Sequence, residues 1–226
     1  MLSLISKFFP NVVANQDQFV QAIGQTLYMT AISIIIAGIF GVVFGVILVV
    51  TEPNQLLENK FVYQIVDKII NIFRAIPFII LLALLTPVTR AIIGTSIGTT
   101  AAIVPLVLGC SPFYARQIQN ALAEVDPGMV EASQAMGLTP LDIIIHVYLK
   151  EGLSEIVRVS IVTIISLISL TAMAGAVGAG GLGDIAITLG YNQFENDVTI
   201  AATAIILIMV LLIQLIGDFF IRRLEH

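Results

Sequence analysis

Charge is what this 226-residue chain has least of: ten Lys and Arg and fifteen Asp and Glu, together 11% of its residues. Soluble domains carry about 25% charged residues, so a water-facing globular surface of this size is excluded. Tryptophan is absent and cysteine occurs once, at Cys110, which excludes an intrachain disulfide. The net charge is −5 and no basic run exists, so nucleic acid is not an expected partner. There is no G-x-x-x-x-G-K-[ST] and no Gly-Lys pair, hence no loop of that type to cradle a triphosphate. His146 and His226 stand apart from any Cys or carboxylate at metal-ligand spacing, and no Ser/His/Asp set or paired carboxylates lie within an apolar run. Enzymatic chemistry, a metal and a resident cofactor are therefore not expected.

What fills the chain is hydrocarbon. Apolar residues make up 58%, and runs of about 18 or more of them read as membrane spans. Five spans are expected, at about 23–51, 66–86, 97–121, 153–175 and 198–221. The first carries Gly38, Gly41 and Gly45 at a spacing suited to close helix contact. Pro77 should kink the second, and Pro105 and Pro112 lie inside the third. The segment MLSLISKFFPNVV has no A-x-A-like cleavage site, so it reads as an interfacial lead-in and not as a cleaved signal. The fold class is all-α, a polytopic membrane protein with residues 1–226 as one domain.

Basic residues concentrate on one side of membranes, the cytoplasmic one. With a cytoplasmic C-terminus, that side holds Lys60, Lys68, Arg116, Lys150, Arg222 and Arg223, with Arg74 and Arg158 near it; the other side holds only Lys7 and Arg90. An odd span count then puts the N-terminus outside and residues 122–151 in the cytoplasm. Arg74 and Asp218 are the ionisable residues closest to being intramembrane, each read as snorkelling or pairing at a helix end.

The stretch DPGMVEASQAMGLTPLDIIIHVYLKE, residues 126–151, predicts two short helices at an angle. Asp126 caps the first with Pro127 at its first position. Gly137 suits a left-handed stop. Thr139 caps the second, with Pro140 following and Asp142 as a weak capping-box partner. Met129, Val130, Ala132, Ala135 and Met136 give the first helix an apolar face that invites a partner protein. The plainer alternative is a connector between spans, though two capped helices exceed what a connector needs.

Residues 175–183, GAVGAGGLG, contain a formal G-x-G-x-x-G at Gly178, Gly180 and Gly183. It follows an apolar helix and not a strand, so dinucleotide binding fails its context test. Five glycines in nine residues weaken a helix, which suits either a substrate path or gate or close packing. Gly175, Gly178 and Gly180 are the path candidates, with Ser169 and Met173 just before them. Met173 is either a packing residue or, through its adaptable thioether, a substrate contact.

Glu131-Ala132-Ser133, Gly137 and Val147-Tyr148-Leu149 resemble the EAA loop of ABC importer permeases, with Ser133 for Ala, Val147 for Ile and Lys150 for Pro. Without that Pro, a straighter join to the fourth span is expected. RAIPFIILL (74–82), GTSIGTTAAIVPL (94–106) and AMAGAVGAGGLGDI (172–185) are similar to the methionine-uptake branch. This resemblance implies a type I importer fold and a homodimer in the inner (cytoplasmic) membrane of a bacterium. It implies a cytoplasmic ATPase dimer that uses ATP and Mg, and an extracytoplasmic methionine-binding protein. It further implies that Met129, Val130, Glu131, Ala132, Ser133, Ala135, Met136 and Gly137 couple to the ATPase, and that Met173 is a candidate contact for D- or L-methionine. Another amino acid as substrate, or a secondary transporter without an ATPase, is the alternative.

Overall fold

The computed structural model describes residues 8–224, so the positions expected for Lys7 and His226 fall outside the described residues. Four helices among the described residues are long and apolar enough to cross a membrane. They are α2 (Gln16–Thr51), α6 (Thr99–Ala123), α10 (Leu153–Ala174) and α12 (Asn196–Leu224). A short α1 (Pro10–Ala14) precedes them. Many large apolar side chains on these helices are exposed, including Ile35, Ile39, Val43, Leu207, Leu211, Leu215 and Phe219. An apolar surface of that extent is stable only against lipid or a partner.

The segment expected as one kinked span at 66–86 is instead three short helices, α3 (Lys60–Ala75), α4 (Phe78–Leu84) and α5 (Thr86–Ile93). The reason is local. Pro77 supplies no N–H, and the residue before a proline is driven out of the helical region. Ile76 accordingly sits at φ −80°, ψ 121°, and the helix ends there. A milder irregularity at Leu85, which stays in the helical region at φ −85°, ψ −2°, divides α4 from α5. Asn59 caps α3 by accepting from the Val62 amide at 3.1 Å.

The chain divides into two compact units, and each of the four long helices contributes residues to both. One unit gathers the chain up to Ile35, Pro77–Val107 and Ile164–Ile213. Its core joins Phe19 and Ala22 of α2 to Leu182 and Ile185, and to Val198, Ala202 and Met209 of α12. The Asn11 backbone and side-chain amides donate to the Asp197 carboxylate at 3.0 and 2.9 Å, tying α1 to the first turn of α12.

The other unit gathers Ile36–Ile76, Leu108–Thr163 and the chain from Gln214 onward. Val49 and Val50 of α2 pack there on Tyr114, Ile118 and Leu122 of α6. Two of the three glycines expected at a helix contact are at one: a Cβ on Gly41 would lie 2.2 Å from Tyr114 Cδ1, and one on Gly45 2.5 Å from Ile118 Cγ2. Gly38 has nothing within 4 Å of its would-be Cβ, so it takes no part. In lipid there is little hydrophobic drive between helices, and close packing of this kind holds them together.

Arg116 of α6 donates to the Asp67 carboxylate and to Asn71 of α3, and to Gln119 on its own helix. The Arg116 and Asp67 side chains are 18% and 26% exposed, which makes theirs the least exposed ion pair among the described residues of this unit, beside the more exposed Lys60–Glu58 and Arg158–Glu155 pairs. Arg116→Leu is expected to cost about 1.5–3 kcal/mol, because the mostly buried Asp67 side chain loses its hydrogen-bond partner. The check is thermal unfolding in detergent, where adding Asp67→Leu should recover part of the loss.

Candidate functional site

The polar stretch between α6 and α10 folds as its punctuation demands. In α7 (Pro127–Ala135) the Asp126 carboxylate accepts from the Gly128 amide at 2.8 Å, and Pro127 occupies the first turn. The helix stops at Gly137, φ +83°. There the Gly137 amide donates to Gln134 O at 2.9 Å and the Leu138 amide to Ser133 O at 3.2 Å. Those two bonds form a Schellman stop, which satisfies carbonyls that the helix end would otherwise leave free.

Thr139 then restarts the chain as α8 (Pro140–Ile143) with a complete capping box to Asp142. Hydrogen bonds from the Thr139 hydroxyl and amide hold the Asp142 carboxyl below its ordinary range, with a smaller contribution from His146. A π-helical turn, Ile144–Tyr148, leads into α9 (Leu149–Glu151), which carries the exposed Lys150. Backbone bonds from Gly152 to Tyr148 O and from Ile156 to Gly152 O, at 3.0 and 2.9 Å, carry the helical path on into α10.

The eight residues expected on a docking face divide in two. Val130 and Ser133 point inward, 7% exposed each, and Val130 packs with Val125, Ile143, Val147 and Tyr148. The Ser133 hydroxyl donates to Met129 O at 2.8 Å. Met129, Glu131, Ala132, Ala135, Met136 and Gly137 are exposed. Met136 is 72% and Leu141 65% exposed, so an apolar surface stands on an anchored base. Burial of Val130 contributes about 1.5–3 kcal/mol to that anchoring.

The glycine-rich stretch lies in the other unit. It leaves α10 through a π-helical turn, Gly175–Ala179, in which Val177 and Gly178 depart from helical geometry. Two helical turns follow, α11 (Leu182–Ile185) and the π-helical Ala186–Tyr191. Gly178, Gly180 and Gly181 have φ of +92°, +83° and +84°. The chain folds back tightly on itself: a Cβ on Gly175 would lie 2.5 Å from Asp184 N, and one on Gly183 2.2 Å from Ala172 O. Gly175 and Gly183 are therefore packing glycines, whereas Gly178 is exposed and its carbonyl accepts from the Gly98 amide at 3.1 Å.

Ser169 and Met173 are both exposed and one helical turn apart on α10, hence on one face. The Ser169 hydroxyl donates to Ile165 O of its own helix at 3.5 Å. A small cleft beside the glycine turn is lined by Thr86, Thr89, Ser96, Pro105, Ala174 and Val177, with neither Ser169 nor Met173 in its wall. Two residues that sequence reading passed over complete the arrangement. Gln25 Oε1 accepts from the Gly181 amide at 2.7 Å, and Thr26 Oγ1 from the Leu182 amide at 2.9 Å. Nothing local marks them, because their partners lie 156 positions away.

Long apolar helices with lipid-compatible surfaces, joined by a capped polar element, define a multi-pass integral membrane protein. The chain belongs to the family of binding-protein-dependent transport system inner membrane components, whose profile matches residues 41–226. It is 47% identical over 214 residues to the probable D-methionine transport system permease protein MetI of Vibrio cholerae, covering 94% of each chain. Among solved structures it is similar to a chain of the MetNI methionine ABC transporter in inward-facing conformations. That match has 44% identity and a TM-score of 0.92, and covers 93% of this chain and 98% of the other. A chain of an amino acid ABC transporter solved with histidines shares the fold at 21% identity and a TM-score of 0.78, over 95% and 98% of the two chains.

Proposed function

We propose that this chain is the permease subunit of an ATP-driven methionine importer in the inner membrane of a bacterium. The observation that carries the reading is the likeness to D-methionine permeases over nearly the full length of both chains. The interrupted segment Lys60–Ile93 supplies the fifth crossing, with the N-terminus outside and the C-terminus in the cytoplasm. The chain acts as one membrane domain, and two copies pair about an axis that carries the path.

In this scheme hydrolysis belongs to a separate cytoplasmic ATPase dimer, which uses ATP and Mg. The exposed Met129, Glu131, Ala132, Ala135 and Met136 seat α7 in that partner, while Val130, Ser133 and Gly137 fix its angle. ATP binding closes the ATPase dimer and moves α7 in both copies. The bundles then rock from inward-facing to outward-facing, an extracytoplasmic binding protein delivers methionine, and hydrolysis resets the cycle. Met173 and Ser169 line the path, and Gly178 and Gly180, backed by the packed Gly175, let the gate segment bend.

The test is reconstitution in proteoliposomes with the cognate ATPase and binding protein. Methionine uptake should require ATP, both partners and the permease together. Uptake without ATP would overturn the scheme. Met173→Ala should lower methionine uptake severalfold with ATPase activity retained, as measured by initial rates of labelled methionine entry; an unchanged rate returns Met173 to packing.

A further inference from the structure

We infer that Gln25 and Thr26 of α2 are positioning residues that hold the glycine-rich segment in its bent form. The inference rests on reading that segment as part of the gate. α11 has no side-chain cap from its own flanking residues, so its first amide groups need partners from elsewhere. Those partners are adjacent side chains of α2, bonded to the adjacent amides of Gly181 and Leu182. Thr26 is 3% exposed, so no water replaces its hydroxyl if it is lost.

The glycines make this cap possible. A Cβ on Gly180 would stand 2.8 Å from Gln25 Oε1, and one on Gly181 would stand 2.7 Å from Thr26 Oγ1. Only bare backbone brings both amides within bonding reach of these side chains. Gly180 and Gly181 also have positive φ, so the bend, the approach and the cap require the same residues. Displacing the glycine segment breaks both hydrogen bonds, and any shift of α2 in this region pulls on the segment directly.

The experiment measures methionine taken up per ATP hydrolysed in proteoliposomes with the ATPase and binding protein, for Gln25→Ala, Thr26→Val, Thr26→Ser and Gly178→Ala. Thr26→Val keeps the side-chain shape and removes the acceptor; Thr26→Ser keeps the acceptor. Gln25 is only half-buried, so Gln25→Ala serves as a second probe if Thr26→Val assembles poorly. The expected result is an about tenfold fall in the ratio for Gln25→Ala and Thr26→Val, with Thr26→Ser retaining most of it. A role in stability alone would lower the yield of assembled complex and leave the ratio unchanged, and that outcome overturns the inference. A lowered ratio for Gly178→Ala beside wild-type ratios for Gln25→Ala and Thr26→Val would overturn the cap while leaving the gate reading intact. Wild-type ratios in all four variants would overturn both.

Discussion

Gly137→Val is expected to cut ATP-driven uptake at least tenfold while the permease still reaches the membrane. Gly137 sits at φ +83°, where a β-branched residue is a conformational outlier; even an ordinary L residue there costs roughly 1–2 kcal/mol. The site itself is roomy, since nothing lies within 4 Å of a would-be Cβ. The damage is therefore backbone strain and not collision. The chain relieves it by opening the Schellman stop, which frees the carbonyls of Gln134 and Ser133. The angle between α7 and α8 then changes, and in the proposed scheme a push on α7 is no longer passed to α10. Uptake measured against ATP hydrolysis should fall at least tenfold, a loss consistent with a few kcal/mol of misplacement. Gly137→Asn, which tolerates the left-handed region, should retain most of the uptake. Wild-type uptake by the valine variant would remove Gly137 from the coupling machinery.

Gly183→Ala is expected to fail earlier, at assembly. Its new methyl carbon would lie 2.2 Å from Ala172 O and 2.5 Å from Ala172 Cα. Those neighbours are backbone atoms of α10, and no rotamer change moves them aside. Overpacking ordinarily costs about 1–3 kcal/mol, and a backbone-on-backbone collision lies at or beyond the upper end of that range. Gly178→Ala is the contrast: its nearest neighbour is the Ile97 Cγ2 methyl at 3.8 Å, so it meets conformational cost and no collision. Size-exclusion yield of the detergent-solubilised protein should fall several-fold for Gly183→Ala and little for Gly178→Ala. Equal yields would mean that the turn relaxes more readily than its close contacts imply.

Those two glycines belong to the same apparent motif, G-x-G-x-x-G, and sequence alone does not separate them. Gly183 is needed for lack of bulk and Gly178 for its backbone angle. Spacing is equally silent at Gly38, Gly41 and Gly45, which look equivalent although only the last two meet α6. Val130 and Ser133 likewise share a helix with Met129 and Met136, and only the core beneath α7 shows which of them anchor it.

Legibility followed the range of the forces involved. Asp126, Gly137, Thr139 and Asp142 were readable because a cap or stop is made by residues within one helical turn. The four long apolar helices were readable because their composition holds over 25, 22, 29 and 36 residues. Pro77 marks the interruption in the sequence, but its missing N–H does more than bend the chain: the helix ends at Ile76. By itself, then, the sequence determined a membrane-spanning all-helical chain with a capped polar element and no P-loop. Only the tertiary structure decided that Arg116 meets Asp67 and that Gln25 and Thr26 cap a helix 156 residues away. Such bonds depend on where distant backbone atoms finally lie, and no local pattern encodes that position.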